Sequence, residues 1–323
     1  MTNLSRALES HAEASVNAFA DLFDSVWYSG GLLWRQQTAN DGTRATSWTA
    51  MSAAEELSSL RTRRALPVAT PALLSVQFGD ERTALVKLLG ADGRERFLSM
   101  LRVDSLEALR HDGWQIMREV VGGPALAAAA QSEQEALDAI RLLLTAYLRM
   151  EHGGGADDRA VAESIFATRS SLLTVGSSAA DEPPSAWTAR AGELLEIPLD
   201  VYAPPYHEPL AVARPPYHEP LAVGQPLSSS FYTRRRSPPL RRYLDAVGTQ
   251  SAHSPEAAAH DAVVGIDLLP CRTAAAAVVH VGNGARSRLF VDHLLLALNA
   301  DAADGSWKII SKTFAPRAWP GAV

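Results

Sequence analysis

Residues 304–310, Asp304-Gly305-Ser306-Trp307-Lys308-Ile309-Ile310, decide the reading of this chain, because residues 111–116, His111-Asp112-Gly113-Trp114-Gln115-Ile116, say the same thing earlier. Asp-Gly favours a tight hairpin turn, and a Trp and an Ile two positions apart then fall on one face of a strand. Working upstream, Val103-Asp104-x-Leu106 precedes the first copy and Val291-Asp292-x-Leu294 the second. A second pair of turns, Ala91-Asp92-Gly93 and Gly282-Asn283-Gly284, is flanked by apolar strands in both halves. These run from Leu85 to Leu89 and Phe97 to Val103 in the first half, and from Ala274 to Val281 and Leu289 to Leu298 in the second. Each half is therefore predicted to end as an antiparallel meander of three or four strands. A repeat of this length means two duplicated domains rather than a solenoid.

Helical periodicity opens both halves. Ser5 to Tyr28 carries a stripe at Val16, Phe19, Phe23 and Val26, with Gly30-Gly31 as its stop. Ser132-Glu133-Gln134-Glu135 spells a capping box, in which hydroxyl and carboxylate each satisfy the other's backbone N–H. Leu137, Ile140, Leu144 and Tyr147 form the stripe that follows, and Gly153-Gly154-Gly155 ends it. Ser52 to Arg61 reads as a shorter helix. Asp158 to Thr174 supplies Val161, Ile165 and Leu172 to a core, and an apolar stretch runs on from Leu194 to Tyr202. Pro204 to Val212 then read PPYHEPLAV, and Pro215 to Val223 repeat the same nine residues. Proline has no N–H for a strand ladder, so Ala203 to Pro239 is predicted to be an exposed, unstructured insert. Its Arg234-Arg235-Arg236 run, with Arg241 and Arg242, reads as a solvated basic cluster.

At 323 residues and 47% hydrophobic, the chain has length and apolar material for two cores. The formal net charge of -6 provides no basic field for nucleic acid or an anionic membrane. Lysine stands only at 87, 308 and 312 among 30 basic residues, a pattern that fits GC-rich coding. The single Cys271 excludes intrachain disulfides and a thiolate-rich zinc site. The histidines at 207, 218, 253 and 260 lack metal-ligand spacing, so neither metal nor cofactor is expected. No basic-then-apolar leader opens the sequence, and no stretch reaches the roughly 18 apolar residues of a membrane span. A cytoplasmic protein is the expectation.

A long helix, shorter helices and a curved antiparallel sheet describe the nuclear transport factor 2-like superfamily, which the second half resembles, within its lumazine-binding-like and SnoaL-like branches. The residues carrying the resemblance are Ala139 to Tyr147, Ile165 to Leu173, Leu194 to Tyr202 and Val264-Gly265-Ile266-Asp267. The most specific stretch is Phe290-Val291-Asp292-His293-Leu294 running into Gly305-Ser306-Trp307-Lys308-Ile309-Ile310-Ser311-Lys312-Thr313-Phe314. The first half is a fainter copy. The resemblance implies an α+β chain of two tandem cone-shaped domains, each with helices packed on a curved antiparallel sheet. Residues 1–122 and 132–316 would be the domains, 123–131 a linker, and about 203–239 the insert.

Such a cone encloses an apolar pocket, where some relatives of the superfamily use an acid–base group and others only bind or dimerise. Asp292 and His280 are the candidate catalytic pair, since a carboxylate in an apolar cone has a raised pKa and can abstract a proton. Strand alternation lets only one of Asp292 and His293 point inward, and Phe290 and Leu294 favour Asp292. Tyr147, Tyr202, Asp267, Phe290 and Trp307 are the candidate pocket residues. Asp104, matching Asp292 in the repeated motif, speaks for a structural role. The expected function is a non-catalytic module binding a small apolar molecule or a partner. The alternatives are a cofactor-free isomerase, cyclase or dehydratase of SnoaL-like or ketosteroid isomerase-like type, and a dimerising scaffold. The partners expected are a small apolar ligand and either an internal pseudo-dimer or a homodimer, with no nucleic acid and no membrane.

Overall fold

The computed structural model describes residue 8 and residues 26–38, 45–62, 72–90, 92–103, 113–123, 131–153, 157–176, 193–199, 201, 239–251, 255–283, 288–301 and 305–318. The first half contains β1 (Trp27–Thr38), β2 (Ala45–Ser52), α1 (Ala53–Thr62), β3 (Ala72–Phe78), β4 (Thr83–Leu89), β5 (Glu95–Arg102) and β6 (Trp114–Val121). The second contains α2 (Glu133–Glu151), α3 (Asp158–Ile165), β7 (Phe166–Val175), β8 (Leu194–Pro198), α4 (Pro239–Ser251), α5 (Pro255–Ala258), β9 (Ala262–Leu268), β10 (Ala274–Asn283), β11 (Arg288–Leu298) and β12 (Trp307–Ala318).

The two six-stranded sheets have one topology. Their orders are β2-β1-β6-β5-β4-β3 and β8-β7-β12-β11-β10-β9, the second being the first with six added to every strand number. The last four strands of each sheet form an antiparallel meander. The sheets are not purely antiparallel as expected: β1 lies parallel to β6, and β7 parallel to β12. Chain distance explains the omission, because a parallel neighbour is joined by a crossover rather than a local turn.

Register makes the equivalence residue by residue. Trp114 pairs with Arg102 and Trp307 with Leu298, and both ladders slip one residue later at the same place, between Ser99/Met100 and Leu295/Leu296. The slips in β3 and β9, and in the parallel pairs β1–β6 and β7–β12, coincide as well. On this register Arg96 is the counterpart of Asp292, Phe97 of His293 and Glu119 of Lys312. Asp104 is not the match of Asp292; it follows the end of β5 and lies outside the described residues. The turn glycines Gly113 and Gly305 have φ of 83° and 80°, the left-handed backbone that the Asp-Gly reading anticipated.

Helix starts follow local chemistry. Ser132 and Glu135 make the reciprocal capping box at α2, and Ser52 with Glu55 makes another at α1. Other expectations are corrected. The helix predicted from Ser5 ends before Trp27, and Gly30 and Gly31 lie inside β1; most of that helix falls outside the described residues. Asp158 to Thr174 divides into α3 and β7, and Gly282-Asn283 still belong to β10. Residues 203–238 of the insert lie outside the described residues, but its last residue, Pro239, begins α4, the N1 position where its missing N–H costs nothing. Arg242, expected on a solvated loop, is buried on that helix.

Each sheet has a core face and a seam face. In the second half α2, α3 and α4 cover the core face, packing Ile140, Leu144, Ile165, Leu240 and Val247 over Val279, Leu294 and Ile309. In the first half Trp27, Leu33, Val86, Leu98 and Ile116 make the corresponding cluster, with Leu8 and Val26. The seam faces pack against each other. Trp34 shares a cluster with Ala297 and Ile310, while Leu173, its register counterpart, shares one with Leu101 and Met117, the counterparts of Ala297 and Ile310. Exchanging the halves exchanges these contacts, as in an isologous dimer interface. Polar bonds cross the seam too: Arg118 donates to Ser171 Oγ at 2.6 Å and pairs with Glu196, and Trp48 Nε1 donates to the Leu298 carbonyl at 2.7 Å.

Candidate functional site

Asp292 lies on the core face of the second sheet inside a buried polar network. Adjacent strands supply its sheet side: Asp292 pairs with Phe314 and Leu294 with Lys312, so Asp292 and Lys312 are diagonal neighbours on one face. The helical side comes from Tyr147 and Glu151, one turn apart on α2, and from Tyr243 on α4. Tyr147 donates its hydroxyl to Asp292 Oδ2 at 2.6 Å. Lys312 Nζ lies 2.5 Å from Glu151 Oε1 and 3.2 Å from Asp292 Oδ2, and the Tyr243 hydroxyl donates to the same Glu151 oxygen. The ammonium also stands 5.1 to 5.6 Å from the ring centres of Tyr147, Tyr243 and Phe314.

Burial sets the electrostatics, and distance decides which carboxylate it penalises. Burial resists ionisation of Glu151, but the closer Lys312 ammonium outweighs it and holds that carboxyl below its usual range. Asp292 is left with the burial penalty and the repulsion of Glu151, only partly offset by Lys312, and its carboxyl rises to about 6. Burial alone would lower Lys312, yet Asp292 and Glu151 keep it above its ordinary value. Burial and the neighbouring carboxylates push both tyrosines well up. Asp292 Oδ1 is buried without a hydrogen-bond partner. The assembly can hold a proton on Asp292 up to about pH 6 and ties two helices to the sheet.

His280 does not join it. His280 pairs with Val291 on the seam face, whereas Asp292 pairs with Val279 on the core face, so register puts the proposed acid–base pair on opposite sides of the sheet. Burial, then the charge of Arg317, lowers His280. His293 also faces the seam, buried with both ring nitrogens unpartnered, and the same two causes lower it to about 4. Of the pocket candidates, Tyr147 is in the network and Phe290 packs edge-on against Phe314 at 6.1 Å. Trp307 is buried in the core with its indole N–H unpartnered. Asp267 pairs with Ala276 and faces the seam rather than the core. Tyr202 lies outside the described residues.

The seam holds the second candidate site. A cavity of about 260 Å³ lies between β3, β4 and β5 of the first sheet and β9 and β10 of the second. Lys87 enters it from β4, with Nζ 2.9 Å from Asp267 Oδ1, 3.1 Å from Glu95 Oε2 and 5.6 Å from the centre of the Phe97 ring. Burial works against the ammonium, but the two carboxylates hold its pKa above the usual value.

Sequence reasoning passed over Lys312, Glu151, Tyr243 and Lys87. Their signal was present: all three lysines of this arginine-rich chain take enclosed positions, Lys308 donating to the Ser164 carbonyl at 2.7 Å at the end of α3. Among the described residues no group of His, Cys, Asp and Glu is arranged to hold a metal ion, and no helix is long and apolar enough to cross a membrane.

No protein-family profile and no curated protein matches the chain. Among solved structures, it is similar to an NTF-2-like protein of unknown function from Silicibacter pomeroyi DSS-3, at 15% identity and a TM-score of 0.34, over 58% of this chain and 100% of that one. It is also similar to an NTF2-like protein of unknown function from Shewanella baltica OS155, at 11% identity and a TM-score of 0.29, over 37% of this chain and 90% of that one.

Proposed function

We propose that the chain is a tandem nuclear transport factor 2-like protein that works as a non-catalytic binding module, its second half serving as the built-in dimer partner of the first. The observation that carries this reading is the seam, where Trp34 and Leu173 exchange places against equivalent residues of the opposite sheet. The network supports the non-catalytic part. Asp292 and Lys312 have an ion-paired counterpart, Arg96 and Glu119, at the same two positions of the other half, so these positions serve to anchor the core. The enzyme alternative requires His280 beside Asp292, and register separates them.

Size-exclusion chromatography with light scattering tests the reading. A chain whose seam is filled from within should elute at the mass of one chain, 34.6 kDa. A stable homodimer at micromolar concentration would overturn it, since the surface meant to be satisfied internally would then be engaging a second copy.

A further inference from the structure

The seam cavity lies where the two halves meet, and equivalent positions of the two sheets face it with unequal residues. Register pairs Gln77 with Asp267, Lys87 with Val278, Leu85 with Ala276 and Ser75 with Gly265. The second half thus places the smaller residue against the space at all four of these positions. A Cβ added at Gly265 would meet nothing within 4 Å, so the space continues to the backbone there.

Charge indicates what fits. Lys87 brings one ammonium, and Asp267 and Glu95 bring two carboxylates against it, leaving the group net negative. An anionic ligand would have to displace these carboxylates before reaching Lys87. A cation meets an available carboxylate, because the Asp267 side chain is 40% exposed while Lys87 occupies only one side of it. Gln77 adds a side-chain carbonyl oxygen, and Phe97 and Val278, both on seam faces, supply an apolar wall.

We propose that this cavity binds a small organic cation: a primary or secondary ammonium on a compact apolar body, the nitrogen against Asp267 and Gln77 and the body on Phe97 and Val278. The site rests on the internal-dimer reading, because both halves contribute walls. The cavity volume is near the lower end of ligand pockets, which restricts the body to about one ring.

The full chain is titrated with benzylammonium chloride, benzyl alcohol and sodium benzoate, with binding followed by ligand-observed NMR. Benzylammonium should bind saturably, and about tenfold or more tightly than the alcohol or the benzoate. Asp267→Asn should weaken it by about tenfold. Gly265→Val, which fills open space, should abolish it at an unchanged unfolding temperature. Benzoate binding as tightly as benzylammonium, indifference to both substitutions, or no saturation by any probe at millimolar concentration overturns the proposal. Light scattering on the same sample separates the two ideas: a monomer that binds nothing removes only the cation site, whereas a homodimer removes the internal-dimer reading.

Discussion

The two halves carry the same buried ion pair with its polarity reversed. On the core face of the first sheet, Arg96 of β5 reaches Glu119 of β6 at 2.7 Å, and Asp92 in the preceding turn pairs with the same guanidinium. On the second, Asp292 of β11 faces Lys312 of β12 at 3.2 Å. The topology sets where the pair sits, since diagonal positions on adjacent strands are close in any such sheet. What packs above sets the sign. In the second half α2 lowers a carboxylate and α4 a hydroxyl onto the sheet, and the strand answers with a cation. In the first the guanidinium lies against Gly90, where a Cβ would come within 2.3 Å of it, and its second carboxylate comes from the β4–β5 turn. A position shared in this way, with its sign free, is set by the sheet's topology and by what packs above it.

Removing the cation from each half should separate them most widely. Lys312→Met leaves Asp292 and Glu151 facing each other without a counter-ion in a closed core, and should cost about 3–5 kcal/mol in urea unfolding. Arg96→Met strands one buried carboxylate, Glu119, while Asp92 is half-exposed and can rehydrate, so its cost should be smaller. Adding Asp292→Asn to Lys312→Met should recover part of the loss. Equal costs in the two halves would mean that the helical carboxylate contributes nothing to the difference.

The same contrast shows what the sequence made legible. The capping box at Ser132 and the turns at Gly113 and Gly305 were readable because their chemistry closes within a few residues. The closing Trp and Ile take equivalent places in the two sheets, register setting Trp114 over Trp307 and Ile116 over Ile309. The Val-Asp-x-Leu match misled, because a short local pattern carries no register: Asp104 stands 10 residues before Trp114 and Asp292 15 before Trp307, whereas the first half's longer loop, 11 residues against 8, puts the counterpart of Asp292 18 residues before Trp114. Arg96, eight residues before Asp104, is the true counterpart and shares no chemistry with Asp292. Tyr243 went unseen because proline-rich sequence coloured its flank, although Leu240, Tyr243, Leu244 and Val247 mark a helical stripe. Asp267 was read into the core for want of a register; one residue's slip moves a side chain to the other face.

A smaller effect is confined to the second half and depends on pH. Asp292 holds its proton to about 6 when folded, against about 3.9 for an unfolded aspartate. Between these values the folded chain carries more of this proton than the unfolded one, so the Asp292 contribution to stability falls as pH rises through the window and stays lost above it. Glu151, whose folded pKa is depressed, slopes the other way, so the effect must be read by difference. The stability of Asp292→Asn relative to the parent should therefore rise by about 1–3 kcal/mol between about pH 4 and about pH 6. Arg96 is raised further above its already high value and stays charged throughout, so the first-half position equivalent to Asp292 has no such proton step of its own. A curve for Asp292→Asn that runs parallel to the parent would show that Lys312 serves both carboxylates equally.

The smallest contrast lies in the turns that first revealed the repeat. Gly113 and Gly305 share the left-handed backbone, so alanine at either should pay the same conformational strain of about 1 kcal/mol. Their surroundings differ. A Cβ at Gly113 would come within 2.6 Å of the Val103 carbonyl oxygen, which is backbone and bonded in place, as the Val103 N–H donates to the Gly113 carbonyl at 2.8 Å. At Gly305 the same atom meets nothing within 4 Å. Gly113→Ala should therefore cost about 2–3 kcal/mol and Gly305→Ala about 1 in paired thermal unfolding. Equal losses would mean that the first-half turn can open away from Val103, and that the longer loop before it, rather than crowding, sets its shape.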